Sequence, residues 1–406
     1  MNRTQILSLL LLILITAIPQ KLFAEVVTQS FDGNRQAVMP GVLLTRLVNT
    51  VAINYHQKDY KVKHLKTIET KEGMEGGPRD TESIKNSGQK LLFAMTFGDN
   101  NSMPDYGFEI SGGGEKITID TEYPSSDATT TRYRDISFQK LNVHVGANLS
   151  PVGLDNLALG LLYQRNEPTM DTTMTATTDY FYNNNFTGLK GVYKTVGWNL
   201  VYNLPKDLFV YDFIYLSLGA TNTTFDTNDT NYQLQRYGGN TTVSGGPGSG
   251  VAKHKDYVGG AAILTEKYRA EYYHFLRKNE SDTFTEQSES QIDKVEVEAI
   301  FGAPEFLHVL GKELYFSAFF LQNINNLIQP QGAADVYMFG VDTKWNKVIK
   351  NGIGLGFSPS TGMSYGLGLS QEEFEVSAYD LGDSAKALRT KEVSGLVAGL
   401  GIGYNW

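Results

Sequence analysis

Apolar and polar residues alternate with a period of two along most of this 406-residue chain, most clearly at its end. Between Lys391 and Trp406, the residues Leu396, Ala398, Leu400, Ile402, Tyr404 and Trp406 share one parity. Gly395, Gly399, Gly401, Gly403 and Asn405 share the other, and only Val397 interrupts. This is the signature of a strand with one greasy face and one small or polar face. The rhythm starts at Val51, Ile53 and Tyr55 and returns at Leu91–Phe97, Leu141–Ala147, Leu157–Tyr163 and Val192–Tyr202, where Lys194 interrupts it. It recurs at Val295–Phe301 opposite Lys294, Glu296 and Glu298, and at Leu314–Asn323 and Tyr337–Trp345. In Ile353–Phe357, Met363–Leu369 and Phe374–Ala378 it continues to the final strand. Ile117 and Ile119 alternate with Lys116, Thr118 and Asp120, which predicts an apolar face on the isoleucine side and a wet face on the other.

Between the strands, short and long connections take turns. Pro151–Asn156 and Asn203–Asp207 are tight, whereas Glu167–Phe186 and Asp226–Lys253 are long and rich in Thr, Asn and Gly; Lys71–Gly88 also reads as a loop. Leu208–Phe225 has strand composition without clean alternation, which predicts a bulge that shifts parity. Residues 254–290 fit one long strand or two, and Pro304–Leu310 fits a small helical turn. The count is fourteen strands, with sixteen as the alternative, because single-chain barrels of bacteria have even numbers. Before them, Phe31–Asn49 carries Leu43, Leu44, Leu47 and Val48 spaced as on one side of a short helix. The segment 25–50 is therefore a candidate plug, or else a plain lead-in to a barrel spanning 51–406.

Residues 1–24 read as a signal peptide, with Arg3, an apolar run from Leu9 to Ile18, and Leu22-Phe23-Ala24 as the cleavage site. No later apolar run approaches the roughly 20 residues of a membrane helix. The formal net charge is −9, and loss of Arg3 and Lys21 with the signal makes it more acidic, which disfavours nucleic acid as a partner. Zero cysteines exclude disulfides and thiolate metal sites. Twenty-three tyrosines, 21 phenylalanines and 41 glycines suit alternating lipid-facing and lumen-facing positions.

The closing strand resembles that of a bacterial outer-membrane β-barrel, a class whose members commonly end on an aromatic residue. Within the class, the length, the N-terminal segment and the run GLGLSQEEFEVSAYDLGD at Gly366–Asp383 are most similar to the long-chain fatty-acid transporter (FadL-like) family. That resemblance implies an all-β, antiparallel, up-and-down transmembrane barrel of fourteen strands, plugged by an N-terminal hatch and passing hydrophobic compounds. No copy of the family's hatch motif is present, and no binding residue carries over. Outer-membrane lipid, lipopolysaccharide, the barrel-assembly machinery acting through the C-terminal strand, and a small solute are the expected partners.

Candidate chemistry is sparse. Gly362-Met363-Ser364-Tyr365-Gly366 matches G-x-S-x-G, but that motif needs a strand-to-helix elbow and here the alternation runs straight on. The glycines between Gly245 and Gly250 lack the spacing of a phosphate loop, and the six histidines lack metal spacing. His144, on the polar parity, reads as a lumen residue, as do Glu296 and Glu298. The inner parity of the last strands is almost bare, at Gly352, Gly354, Gly356, Gly366, Gly368, Gly395, Gly399, Gly401 and Gly403. Glycine costs about 0.5 to 1 kcal/mol relative to alanine in a regular element, so either curvature requires these residues or something packs against them. Neither a catalytic set nor a cofactor site emerges. The leading function is passive passage of a small, hydrophobic solute through an outer-membrane channel; the alternative is a non-transporting barrel with an adhesive or envelope-structural role.

Overall fold

Strand pairing follows the alternation nearly everywhere. The computed structural model describes residues 49–406 apart from 68–80, 98–104, 125–128, 177–184, 205–212, 227–230, 237–238, 245–250, 265–267, 282–287, 303–313, 330–344, 358–361 and 380–386. The signal, the candidate plug, the Pro304–Leu310 turn and most of the Tyr337–Trp345 strand lie outside the described residues.

The strands are β1 (Thr50–Thr67), β2 (Thr81–Phe97), β3 (Tyr106–Pro124), β4 (Thr129–Asn148), β5 (Leu157–Ala176), β6 (Asn185–Lys190), β7 (Val192–Asn203), β8 (Phe213–Asp226), β9 (Asn231–Arg236), β10 (Gly239–Ser244), β11 (Val251–Leu264), β12 (Tyr268–Ser281), β13 (Ser288–Gly302), β14 (Leu314–Gln329), β15 (Trp345–Phe357), β16 (Gly362–Tyr379) and β17 (Ala387–Asn405). All pairings are antiparallel, and β1 pairs with both β2 and β17, which closes the sheet. β6 and β7 form one stave against β5, joined at Gly191, whose N–H donates to Pro168 O (3.1 Å). β9 and β10 form a hairpin that, among the described residues, pairs within itself and, through β9, with β6. The wall is thus a closed fourteen-stranded barrel. Closure leaves no edge unpaired, the condition for backbone to cross a bilayer.

A closed sheet has two faces, and here exposure tells them apart. Outward residues such as Ile53, Leu91, Leu161, Leu218, Ile353, Leu369 and Leu396 are large, apolar and exposed, a surface suited to lipid and not to water. On β17 this band runs from Leu396 to Tyr404, about the nine to eleven residues a tilted strand needs to cross. Stacked or tilted aromatic pairs mark its lower rim: Phe97 with Tyr106 (4.9 Å), Phe357 with Tyr365 (5.2 Å) and Phe93 with Trp406 (5.8 Å). The Trp406 N–H donates to Asn49 O (3.1 Å), so the closing strand is bonded to the residue that leads into β1. At the same end, Ser150–Val152 forms a single 3-10 turn, with Gly153 (φ 82°) and Asn156 (φ 61°) in the left-handed region. Asn148 Oδ1 accepts from both the N–H (3.0 Å) and the hydroxyl (2.9 Å) of Ser150, which makes this connection short and stiff.

Several expectations need correcting. Ile117 and Ile119 face inward, 7% and 3% exposed, while Lys116 and Asp120 face out. This end of β3 extends beyond the apolar band, where the outside is water and the inside is the apolar side. The same reason explains Glu167–Ala176, which is strand although its Thr-rich composition resembles a connection, and Thr81–Gly88, which belongs to β2. β8 has no bulge: its register against β7 and β11 is continuous, and Tyr215 disturbs the alternation because it points inward, 1% exposed. Residues 251–264 and 268–281 are two strands, paired from Ala252 to Leu264. The expected long connection from Asp226 to Lys253 contains β9 and β10, and β11 begins at Val251.

Candidate functional site

Among the described residues, buried polar groups collect on the lumen face, and strand register maps them. One inner row across the wall reads Ser317, Gly354, Gly368, Gly399, His56, Gly88, Glu115, Phe138 and Pro168. The row beneath it reads Tyr315, Gly356, Gly366, Gly401, Asn54, Lys90, Gly113, Lys140 and Asn166. The glycine wall singled out in the sequence therefore adjoins, through the β17–β1 pairing, a polar wall built on β1–β4.

Part of that glycine wall is occupied by neighbouring side chains. A Cβ on Gly356 would collide with the Tyr315 ring, and one on Gly352 would lie 2.7 Å from Phe319 Cε1. Gly354 lies under the Ser317 hydroxyl, whose oxygen would be 2.6 Å from a Cβ. Aromatic rings laid over strand glycines restore the packing that glycine forfeits, so for Gly352 and Gly356 neither curvature nor a plug is needed. Gly366, Gly368, Gly399 and Gly401 form a separate patch, two by two in register on β16 and β17, and all four are buried.

Gly395 has a distinct job. Across it, Tyr60 Oη on β1 donates to Glu372 Oε2 on β16 (2.6 Å), two strands away, and a Cβ on Gly395 would fall under 3.0 Å from Asp59 O and the Tyr60 ring. Glu372 also accepts from Lys350 Nζ (2.8 Å) and has Lys58 Nζ at 3.7 Å. Gly88 plays the same part between His56 and Glu115: the His56 Nε2 to Glu115 Oε1 distance is 3.8 Å, and a Gly88 Cβ would lie 2.6 Å from His56 Cε1. Glu115 is further held by Lys140 Nζ and by the Asn86 amide. The result is a half-girdle of ion pairs from β15 to β4. Such buried pairs stabilise only when, as here, each carboxylate meets several donors.

On the opposite wall, Glu271 pairs with Glu296 in register, with Glu298 beyond it on β13. Tyr273 Oη donates to Glu271 (3.1 Å), and Lys294 Nζ lies 3.9 Å from Glu296. Arg277 grips Asp256 with two bonds (2.8 and 2.9 Å). His144 is on the inner face of β4, in register with Glu109 of β3. Ser364 points inward from a strand that runs unbroken to Tyr379, so the elbow a nucleophilic serine needs is not formed there. Among the described residues, no group of three His, Asp or Glu side chains is placed to hold a metal ion.

The sequence reading named His144, Glu296, Glu298 and the glycines, and all of them sit on inner faces. It missed the half-girdle and Glu109. The signal was present, since Lys58, Tyr60, Lys90 and Glu372 each have inner parity, but parity says nothing about which polar residues meet across two strands.

No family model matches the chain, and no curated protein matches it by sequence. Solved structures do. The Pseudomonas putida toluene transporter TodX aligns over 92% of this chain and 94% of its own, with TM-score 0.55 and 9% identity. A Pseudomonas aeruginosa FadL homologue aligns over 95% of both chains, with TM-score 0.54 and 9% identity. The barrel shares its fold with these two proteins. A TodX mutant described as a monoaromatic hydrocarbon channel, lacking S2 and S3, aligns similarly at TM-score 0.56 and 10% identity.

Proposed function

We propose that this protein is an outer-membrane channel for passive passage of small hydrophobic solutes. The observation that carries the reading is an apolar panel on the inner face beyond the lipid band. Ile84 pairs with Ile119, Ile117 with Ile136, and Ile136 with Met170, and Phe138 completes the panel. At this height the outer face bears Lys85, Lys116 and Asp135, so apolar residues have been placed inside where water surrounds the wall. A water-filled pore would have no use for such a lining. The solved structures of similar fold, a monoaromatic hydrocarbon channel and a toluene transporter, agree with it.

The reading includes delivery: cleavage near Ala24, insertion by the barrel-assembly machinery through β17, and residence among lipid and lipopolysaccharide. It also includes Phe31–Asn49 as a plug, with His144, Glu296, Glu298 and the patch Gly366, Gly368, Gly399 and Gly401 as its candidate contacts. Two facts support this: the patch is buried, and Asn49 is bonded to Trp406 at the end of β17. Uptake of toluene into proteoliposomes tests the channel, and Ile136→Asn should reduce it several-fold. Deleting residues 31–49 tests the plug and should raise single-channel conductance without preventing insertion. A second reading, the non-transporting barrel, is favoured by the nearly complete burial of Asn199, Ser364 and Val397, which face the lumen. Absence of toluene uptake in both full-length and deleted protein would establish it.

A further inference from the structure

On the channel reading Glu109 has no role and His144 only that of a plug contact, and the bonding of this pair is incomplete. The two side chains stand opposite each other on the inner faces of β3 and β4, each 1% exposed. Among the described residues, neither carboxylate oxygen of Glu109 and neither ring nitrogen of His144 has a hydrogen-bond partner. Lys90 Nζ is 3.9 Å from Glu109 Oε1, an ion-pair separation too long for a hydrogen bond. The Ser111 hydroxyl, next to Glu109 on the inner face of β3, accepts from the Asn142 amide (3.3 Å). Four unsatisfied buried polar atoms in adjacent residues are costly, and a fold that keeps them side by side has a use for them.

On one side the pair has no side chain in register with it. In the next inner row toward the short-turn end, the residues in register are Gly107, Gly146 and Gly160, none with a side chain. Beside the pair stand Ala94 and Leu162. The site is therefore a polar station over a bare glycine floor with apolar flanks.

We infer that Glu109 and His144 bind the hydroxyl group of an uncharged, otherwise apolar solute such as a phenol or a slender alcohol. The complementarity is atom by atom. A neutral imidazole offers one N–H donor and a carboxylate only acceptors, so one hydroxyl can donate to Glu109 while accepting from His144. A pure hydrocarbon satisfies neither group. A carboxylate solute would meet Glu109 at contact distance. A metal ion would have two side-chain ligands only, short of a closed site. The inference rests on the channel reading and narrows it, from hydrophobic solutes in general to those with a single hydroxyl.

The test compares p-cresol with toluene, which differ by that hydroxyl, by calorimetry on the full detergent-solubilised barrel and by proteoliposome uptake. Wild type should bind p-cresol roughly tenfold or more tightly than toluene, the worth of one charge-assisted hydrogen bond. In Glu109→Leu/His144→Phe the preference for p-cresol over toluene should vanish. Glu109→Gln, which keeps an acceptor, should retain part of it, and it serves as the second variant should the double one fail to fold, as judged by heat-modifiable migration. Equal binding of the two probes by wild type, or an unchanged preference in the variants, overturns the inference and means that the pair holds only water. If wild type takes up neither probe but still prefers p-cresol in calorimetry, the station stands and the channel reading fails.

Discussion

Replacing Gly395 by alanine should destabilise the barrel, although alanine is the better residue for a regular strand. Fixing a glycine costs entropy, and a tolerated Gly→Ala change returns about 0.4 to 1 kcal/mol. At Gly395 the new Cβ would sit under 3.0 Å from Asp59 O and from two atoms of Tyr60. The first of these is backbone in a paired strand and cannot step aside. Overpacking of this kind costs about 1 to 3 kcal/mol. If Tyr60 is displaced, its bond to Glu372 (2.6 Å) is lost, and a hydrogen bond to a charged group is worth about 1.5 to 3 kcal/mol. The two costs share one cause, so the expected loss is about 2 to 4 kcal/mol, net of the entropic gain. Reversible urea unfolding in lipid vesicles, followed by tryptophan fluorescence, measures it. Gly259→Ala is the control, because a Cβ there meets nothing within 4 Å. It should be neutral or stabilising. Combining Gly395→Ala with Tyr60→Phe isolates the bridge: the double variant should lose about 1 kcal/mol or more less than the sum of the singles. Strict additivity, or a Gly395→Ala protein as stable as Gly259→Ala, would refute the account of Gly395 as a bridge notch.

Other outcomes follow from the same map. Lys350→Met should cost about 3 to 5 kcal/mol by leaving Glu372 under-compensated in a buried setting, and Lys350→Met/Glu372→Met should recover much of it, as measured by the same unfolding assay. Leu400→Arg, on the lipid face at 42% exposure, should cost about 2 to 4 kcal/mol and lower the yield of heat-modifiable barrel, whereas Gln139→Arg, outward on β4 beyond the apolar band, should assemble normally. Val397→Arg should also assemble poorly, because Val397 is inward but only 1% exposed, and normal assembly would mean that the lumen is wet there. Epitope tags in 177–184, between Ala176 and Asn185, should be reached by antibody on intact cells, and tags at Pro151–Asn156 should not; the reverse labelling would invert the barrel.

Strand number, closure and the apolar band were legible because lipid on one side and a lumen on the other impose a strict two-residue period. The fourteen-strand count held although β6, β9 and β10 lay unread, since β6 continues into β7 and the β9–β10 hairpin stands outside the wall, while Met363–Leu369 and Phe374–Ala378, two faces in the sequence, are one strand, β16. What parity could not supply was contact between residues two strands apart. His56 and Glu115, or Tyr60 and Glu372, meet only because Gly88 and Gly395 leave a gap, and nothing in a single sequence ties those triplets together. The glycines looked like a surface awaiting a partner, and for Gly352 and Gly356 the partner is a ring on the next strand.

The inward isoleucines show why alternation must be read with height. Along β3 the outward residues are Tyr106, Phe108 and Ile110 at one end and Lys116, Thr118 and Asp120 at the other, while the inward ones change from Glu109 and Ser111 to Ile117 and Ile119. Both faces reverse character in the course of the strand, close to Gly112–Gly114, where a Cβ on Gly113 would run into the backbone of Gln89 and Lys90. Below the reversal the solvent outside is hydrocarbon, so apolar side chains gain nothing by turning in. Above it the solvent is water, and an isoleucine gains about 1.5 to 3 kcal/mol by leaving it. One unbroken strand thus meets two solvents, and an apolar lining is favoured only in the half that projects beyond the lipid. On the proposed channel reading, a hydrophobic solute arriving from water would meet the isoleucine lining before Glu109 and His144, which stand nearer the short-turn end, so apolar capture would precede hydrogen-bonded selection.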